Sequence, residues 1–246
     1  MKLNLKSDNQ NIAANLIKPE GFKYPLPALI FVHGWKSKQE GNIKRATEIA
    51  KLGFVCLTLD LRGHGESDGT IDQFSRKDHL EDIKAAYKYL SEQKEVNPSK
   101  IGILGSSYGA YLSAVATNFL EFEWLILRVP ALYFDEGMDI PTDRLIKENP
   151  QAFTSSDLTE ENCLALKGVA NFAGEILLIE SEKDEMIPHA VIENYLSVIQ
   201  DKRRLTYEVM KGAGHHFWNN PELDEKYLDI LKDWLSEKNK ELEIEV

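Results

Sequence analysis

The sequence predicts an α/β fold, a mostly parallel sheet of about eight strands with helices on both faces. First, short continuous apolar runs recur along the chain, as is typical of strands buried on both faces of a parallel sheet. Second, segments of helical periodicity separate most of these runs, which is the rhythm of βα units. Third, 246 residues with 43% hydrophobic content suffice for a single domain over 1–246. The apolar runs are 28–32, 54–59, 101–104, 124–127 and 176–179.

The first two predicted strands lie within 2–18, on either side of the polar turn 7–11. Because no crossover helix joins them, we expect an antiparallel edge there. Helices are predicted between the later strands, with Gly53 ending the first of them. A last strand is predicted at 204–210. The predicted helices are 40–52, 78–94, 110–119, 189–200 and an amphipathic final helix over 221–238.

The pattern changes between 129 and 173, where aromatic residues and prolines interrupt the βα rhythm. A long excursion between two strands predicts a small cap insertion, at about 130–172, over the active site. Asp157, three residues before Glu160, predicts a helix start within it. The aromatic side chains of the excursion either line an acyl or aryl pocket or pack in the core; these are Tyr133, Phe134 and Phe153.

The amino-acid composition disfavours some classes of binding partner. The net charge of −11 and the isoelectric point near 5.1 disfavour nucleic acid and anionic membrane surfaces. No apolar run reaches the roughly 20 residues that cross a bilayer, and the N-terminus lacks a signal-peptide core. We therefore expect a cytoplasmic protein. Two cysteines make no disulfide framework, and Cys56, within an apolar strand, is expected to be a buried small hydrophobe.

The stretch Gly105-Ser106-Ser107-Tyr108-Gly109 joins a predicted strand to a predicted helix. Gly-x-Ser-x-Gly on such a turn is the form of a nucleophile elbow. A strained turn needs glycine on both sides, because a side chain there would collide with the strand or the helix. Only Ser107 has glycines at both flanking positions, so Ser107 is the predicted nucleophile.

A serine hydroxyl needs a histidine base, and the histidine needs an acid that fixes its tautomer. In elbow-type enzymes the acid and then the histidine follow the serine in the chain. Both types of residue occur at the ends of the last two predicted strands. The candidate acids are Glu180, Glu182, Asp184 and Glu185, and the candidate bases are His215 and His216. Adjacent residues point apart and no acidic cluster has ligand spacing, so a metal pair is not expected.

With these motifs in this order, the chain resembles the α/β-hydrolase superfamily over nearly its whole length. It is most similar to compact, short-capped esterases of the feruloyl or cinnamoyl esterase type, and also to dienelactone-hydrolase and acyl-peptidase relatives. Each motif follows a predicted strand. The motifs are His33-Gly34-Trp35, the turn 60–67, the elbow 105–109, the segment 184–188 and the loop 212–217.

The resemblance implies Asp184 as the acid, because it lies a few residues after the strand and before Ile-Pro, and His215 as the base. It implies that the backbone N–H groups of Trp35 and Tyr108 form the oxyanion hole, with Gly34 allowing the loop to approach closely. His33 and His64 are expected to brace loops. The remaining histidines at predicted helix starts carry no special signal; these are His79 and His189.

The resulting expectation is a serine hydrolase that cleaves a small-molecule carboxylic ester without cofactor or metal. Thioesterase, small-peptide hydrolase and acyltransferase activities would use the same triad. Dehalogenases and epoxide hydrolases of this fold need an aspartate at 107 and are excluded. A non-catalytic small-molecule-binding protein on the same fold is the alternative of another class. A homodimer is compatible with the sequence, and the substrate is left open.

Overall fold

The computed structural model describes residues 1–154 and 158–244, with side chains described to 238. The predicted α/β fold is confirmed: these residues form one eight-stranded sheet with helices on both faces. The strands are β1 Lys2–Ser7, β2 Gln10–Ile17, β3 Leu26–Val32, β4 Val55–Leu59, β5 Val96–Ser106, β6 Trp124–Arg128, β7 Glu175–Ser181 and β8 Leu205–Met210. The helices are α1 Glu40–Ala50, α2 Arg76–Ser91, α3 Tyr108–Ala116, α4 Thr142–Glu148, α5 Leu164–Asn171, α6 His189–Val198 and α7 Pro221–Ile244.

The strand order across the sheet is β1-β2-β4-β3-β5-β6-β7-β8. The first two strands pair antiparallel with each other, and β2 pairs antiparallel with β4, as the missing crossover helix predicts. All other neighbours pair in parallel. In register, Val32 at the end of β3 lies opposite both Leu59 of β4 and Gly105 of β5. The carboxyl ends of these strands therefore meet at one edge, where ligands bind in open α/β sheets.

Buried side chains form two hydrophobic clusters because successive residues of a strand point to opposite faces. Ile30 and Val32 of β3 belong to the cluster that packs under α2 and α3. Leu29 and Phe31 of the same strand belong to the cluster that packs under α1 and α7. This explains why β3 reads as a continuous apolar run: both of its faces are covered.

The segment between β6 and β7 contains α4 and α5. Helix α5 packs closely on α3, and a Cβ on Gly168 would lie 2.7 Å from the side-chain nitrogen of Asn118. Asn118 also donates a hydrogen bond to Leu164 O at 2.8 Å. Helix α5 thus belongs to the helical layer on the sheet, whereas Ile146, Pro150 and Phe153 face the cavity described below. The limits of a cap remain a prediction, and the helix start predicted at Asp157 lies outside the described residues.

The last helix is longer than predicted, since α7 continues past 238 to Ile244. Within the described ranges, no helix combines the length and the apolar character that crossing a bilayer requires.

Candidate active site

Ser107 lies on the turn between β5 and α3, with backbone angles φ 54° and ψ −115°. Residues other than glycine rarely adopt this conformation. The flanking glycines allow this turn. A Cβ on Gly105 would lie 2.5 Å from Ala110 Cα, and one on Gly109 would lie 2.8 Å from Val32 C. The backbone N–H of Ser107 donates to Arg128 O at 2.9 Å, which holds the strained residue in place. Ser107, rather than Ser106, therefore occupies the strained position.

The loop after β3 lies directly against this turn. A Cβ on Gly34 would be 3.3 Å from Ser106 O and 3.5 Å from Ser107 Cβ, so the loop can approach only with glycine there or with some displacement. Among the described residues the backbone N–H of Trp35 has no hydrogen-bond acceptor. Tyr108 is the first residue of α3, where helix N–H groups lack intrahelical acceptors and the helix dipole is positive. Two backbone donors thus flank Ser107.

Three buried histidines lie behind this loop. His33 accepts a hydrogen bond from the Leu61 N–H at 3.0 Å through Nε2, and His79 contacts the Tyr108 hydroxyl at 2.7 Å. Burial, together with the neighbouring His64, lowers the pKa of His33 to about 4. Burial also lowers the pKa of His64 and of His79. All three rings are therefore neutral at pH 7 and act as packing and hydrogen-bonding groups, in keeping with the bracing role expected for His33 and His64.

Asp184 and His215 lie after β7 and β8 and contact each other. His215 Nδ1 is 2.9 Å and 3.0 Å from the two carboxylate oxygens of Asp184. Burial opposes ionisation of Asp184, but hydrogen bonds from His215 and from the N–H groups of Ile187 and Met186 outweigh it and lower the Asp184 pKa. A carboxylate at Nδ1 favours the tautomer that carries its proton there, which leaves Nε2 as a proton acceptor.

The three competing glutamates have other partners. Glu182 accepts from the Gly212 N–H at 2.8 Å, and Glu185 accepts from the His215 N–H at 3.0 Å, so both brace the loop that carries the histidine. Glu180 accepts hydrogen bonds from His189 and Tyr207. Among these four acids only Asp184 contacts the His215 ring. His216 packs edge-on against His215, with ring centroids 4.8 Å apart.

A cavity of about 540 Å³ joins these elements. Ser107 and His215 both line it, and so do Trp35 and Tyr108. Two of the three aromatic residues of the excursion face this cavity, whereas Phe134 lines a separate cavity beside it. The apolar walls are formed by Trp35, Ala131, Tyr133, Ile146, Phe153 and Trp218.

Sequence reasoning missed Arg128, the last residue of β6. Its guanidinium is buried and donates to Ser106 Oγ at 3.1 Å, to Ser181 Oγ at 3.3 Å and to His215 O at 2.6 Å. It thus ties the Ser107 turn to the loop that carries His215. The signal was available: an arginine ends the run Trp124-Leu125-Ile126-Leu127, where every other side chain is apolar.

Cys56 and Cys163 are both free and fully buried, and burial raises the pKa of each thiol, that of Cys163 to about 11. They behave as small apolar side chains. Among the described residues, no three His, Cys, Asp or Glu side chains are placed to hold a metal ion.

The eight-stranded sheet, with its strained serine turn after β5, defines the chain as an α/β-hydrolase. More specifically, the model of the prolyl oligopeptidase family matches residues 42–241, so the chain belongs to that family. The predicted resemblance to α/β-hydrolases is therefore confirmed.

Three similar proteins share a quarter or less of their residues with this chain. An uncharacterised protein of Mycobacterium tuberculosis is 25% identical over 218 residues, which are 86% of this chain and 70% of that protein. A probable 2-oxo-3-(5-oxofuran-2-ylidene)propanoate lactonase of Bradyrhizobium is 23% identical over 70% of this chain and 65% of its own length. Among solved structures, Est1E from Butyrivibrio proteoclasticus with bound ferulic acid has a TM-score of 0.75 and 16% identity, covering 96% of this chain and 98% of Est1E. That likeness shows a shared fold.

Proposed function

We propose that this hydrolase cleaves carboxylic esters through an acyl-enzyme on Ser107, with His215 as general base and Asp184 as its orienting acid. One observation carries the proposal: His215, which is hydrogen-bonded to Asp184, lines the same cavity as the strained Ser107 turn. Nucleophile, acid and base follow one another in the chain in the order of an elbow-type triad. The fold brings their strand ends to one edge of the sheet.

In the acylation step, Ser107 Oγ attacks the ester carbonyl carbon while His215 Nε2 takes the hydroxyl proton. The Asp184 carboxylate stabilises the resulting imidazolium without taking its proton. The carbonyl oxygen gains negative charge and accepts hydrogen bonds from the Trp35 and Tyr108 N–H groups. The tetrahedral intermediate then collapses, and His215 gives its proton to the departing alkoxide.

In the second step a water molecule replaces the alcohol. His215 removes a proton from the water, and the hydroxide attacks the acyl carbon through a second oxyanion. Collapse breaks the bond to Ser107 Oγ, which regains a proton from His215 and releases the carboxylic acid. No cofactor or metal is needed for either step.

Two similarities support an ester as the cleaved bond. Est1E, which shares the fold, is seen with ferulic acid, and the Bradyrhizobium relative is named as a lactonase, which opens a cyclic ester. The apolar walls of the cavity suit an aryl or alkyl group beside the scissile bond.

Labelling with a fluorophosphonate probe tests the nucleophile. We expect wild-type protein to be labelled and to hydrolyse short 4-nitrophenyl esters. Ser107→Ala should lose both properties, whereas the matched control Ser106→Ala should still be labelled. Normal ester turnover by folded Ser107→Ala protein would exclude the proposed mechanism. Tight stoichiometric ligand binding without turnover across a broad ester panel would favour a non-catalytic binding protein instead.

Amide cleavage of small peptides is the second candidate, and membership of the prolyl oligopeptidase family favours it. The same residues would act, with an amine as the leaving group. A matched pair that shares one acyl group, as a 4-nitrophenyl ester and as a 4-nitroanilide, separates the two. A kcat/KM for the anilide equal to or above that for the ester would favour the peptidase. Thioester and acyl-transfer variants of the chemistry can be compared with the same acyl group.

A further inference from the structure

The charge of the cavity differs from the charge of the molecule. The whole chain carries 40 acidic and 29 basic residues. Among the described residues that line the candidate active-site cavity, none is acidic, whereas four carry a positive charge: Lys36, Lys38, Arg45 and Arg128. A ligand entering this cavity therefore meets a locally cationic wall on an acidic protein.

Two of these cations are already neutralised by a carboxylate. Lys38 Nζ lies 2.6 Å from Glu40 Oε2 at the exposed rim. Arg45 forms an ion pair with Asp224, and its guanidinium lies over the Trp218 ring. Lys36 and Arg128 take part in no ion pair among the described residues.

Arg128 is the unusual one, because its buried side chain contacts no carboxylate among the described residues. The charges of Asp184 and Glu185 act on it without contact, and its guanidinium lies over the rings of Phe217 and Trp218. Three of its five N–H donors bind neutral acceptors, namely two serine hydroxyls and the His215 carbonyl. Within the described residues, its Nε–H has no acceptor. A second Nη1–H also has none there. Buried charges are ordinarily paired, since desolvation without a partner is costly. Arg62, which is also buried, is paired in the usual way: it forms ion pairs with Asp82 at 2.8 Å and with Asp8 at 3.2 Å.

Both unpaired cations lie next to the proposed nucleophile. Arg128 donates to Ser106 Oγ, and its carbonyl accepts from the Ser107 N–H. Lys36 follows Trp35, the proposed oxyanion donor, and has a left-handed backbone with φ 56°. Strain of this kind tends to occur at ligand-binding positions. An anionic group held by these two residues would therefore lie a few bonds from the reacting carbonyl.

We propose that the cavity binds a free carboxylate of the substrate at Arg128 and Lys36, so that the preferred substrates are acidic esters. This inference rests on the ester hydrolase proposed above and names its substrate class. A carboxylate supplies the contacting ion-pair partner that Arg128 lacks and accepts the N–H donors that Arg128 leaves unused. If Arg128 merely braces the loops around it, neutral and acidic esters should be cleaved equally well.

The first experiment compares mono-4-nitrophenyl adipate with 4-nitrophenyl adipamate, in which a carboxamide of the same shape replaces the carboxylate. After subtraction of spontaneous hydrolysis, we expect kcat/KM to be at least about tenfold higher for the acid, and the ratio to fall as NaCl is raised. An equal or higher kcat/KM for the neutral amide would overturn the proposal.

Charge-removing variants locate the effect. Arg128→Met and Lys36→Gln should each lower the acid-to-neutral ratio, mainly through KM for the acid. Lys51→Gln removes an exposed charge far from the cavity and should change neither the ratio nor neutral-ester turnover. A purely bracing role predicts that Arg128→Met lowers turnover of both esters equally and keeps the ratio. If Arg128→Met does not fold, as judged by circular dichroism, the acid-to-neutral ratio of Lys36→Gln tests the proposal, and an unchanged ratio would overturn it.

A binding experiment separates this proposal from the proposed reaction. Folded Ser107→Ala protein is titrated calorimetrically with N-benzyladipamic acid and with neutral N-benzyladipamide. We expect tighter binding of the acid by about tenfold, lost in Ser107→Ala/Lys36→Gln protein. Preference for the acid without any ester turnover by wild-type protein would leave the carboxylate site standing and overturn the hydrolase. Ester turnover with no preference for the acid in either assay would support the hydrolase and overturn the carboxylate site.

Discussion

The two sides of the candidate active site are built by different forces. The side that carries the proposed nucleophile, here called the nucleophile side, lies at the ends of β3 and β5. It depends on close backbone approach, because Gly34, Gly105 and Gly109 leave no room for a side chain without displacement. The rings behind it are buried and neutral. The side that carries the proposed acid and base, here called the acid–base side, follows β7 and β8. It is held by charge, with Asp184 on the His215 ring and Glu185 on the His215 backbone N–H.

This difference has a consequence for function. Volume changes should disrupt the nucleophile side, because backbone atoms cannot yield as flexible side chains do. Changes of charge should disrupt the acid–base side, where burial strengthens electrostatic interactions. Arg128 contacts both sides, so it couples a sterically defined turn to an electrostatically defined loop.

The largest expected effect comes from adding one methyl group to a glycine on the nucleophile side. Gly105→Ala should lower the free energy of unfolding by at least about 3 kcal/mol and abolish esterase activity, since the new Cβ overlaps backbone atoms of α3. Urea denaturation and 4-nitrophenyl ester turnover measure both. Gly41→Ala is the control, because no atom lies within 4 Å of its added Cβ, and the free energy of unfolding should stay the same or rise. Equal effects of the two variants would contradict the steric account.

On the acid–base side, Asp184→Asn preserves shape and removes charge. We expect kcat to fall by about 10³–10⁴-fold with an unchanged fold, because the amide favours the wrong His215 tautomer. Glu182→Gln keeps an acceptor for the Gly212 N–H and loses only an exposed ion pair with Lys211, so its kcat should change by less than about fivefold. Comparable losses in both variants would mean that Asp184 is not the acid.

Low pH should lower the free energy of unfolding through the buried histidines of the nucleophile side. The pKa of His33 is about 4 in the folded protein and near 6.5 when unfolded. The unfolded chain therefore binds the proton more readily below pH 6.5, so stability present above that pH is lost as the pH falls towards 4. This loss amounts to about 3 kcal/mol for His33. Urea denaturation between pH 4 and 7 should show a shallower pH dependence for His33→Gln than for wild-type protein. An unchanged pH dependence would refute the assignment to His33.

The smallest expected effect again concerns the nucleophile side. The buried Thr142 hydroxyl lies 3.2 Å from the Tyr108 hydroxyl, which also contacts His79. Thr142→Val keeps the shape and should lower the free energy of unfolding by only about 1 kcal/mol. A loss as large as that of Gly105→Ala, measured in the same urea series, would show that polarity matters on this side as much as shape.

Much of the fold could be predicted because local patterns report burial directly. The run Ala28-Leu29-Ile30-Phe31-Val32 is apolar throughout because helices cover both faces of β3. Boundaries were less predictable: the elbow strand was expected over 101–104, yet β5 extends from Val96 to Ser106. Of the added residues, Val96 is buried and pairs with Leu26 of β3, whereas 97–100 lie at an irregularity of that pairing. The longer strand therefore follows from its neighbours in the sheet rather than from periodicity.

Part of the candidate site could be predicted for the same reason. Glycine spacing singles out Ser107, since only that register avoids backbone collisions. Spacing in a loop does not determine which carboxylate meets a ring from another loop, so the residues alone left four acids open. The resemblance to α/β-hydrolases favoured Asp184, and the contact of Asp184 with His215 is seen only in the fold. Arg128 was missed for a related reason: an arginine that ends an apolar run is a signal, but what it contacts is known only from its neighbours in space.

The sequence by itself determined the class of fold, the strained serine and the order of the groups around it. These depend on local sterics and on hydrophobic periodicity, which a few neighbouring residues specify. Tertiary structure alone decided that Asp184 contacts His215 and that three histidines are buried and neutral. It also decided that Arg128 lies beside Ser107 without an ion-pair partner among the described residues. Those properties depend on distances between distant strand ends and on burial, which arise only when the sheet brings the ends together.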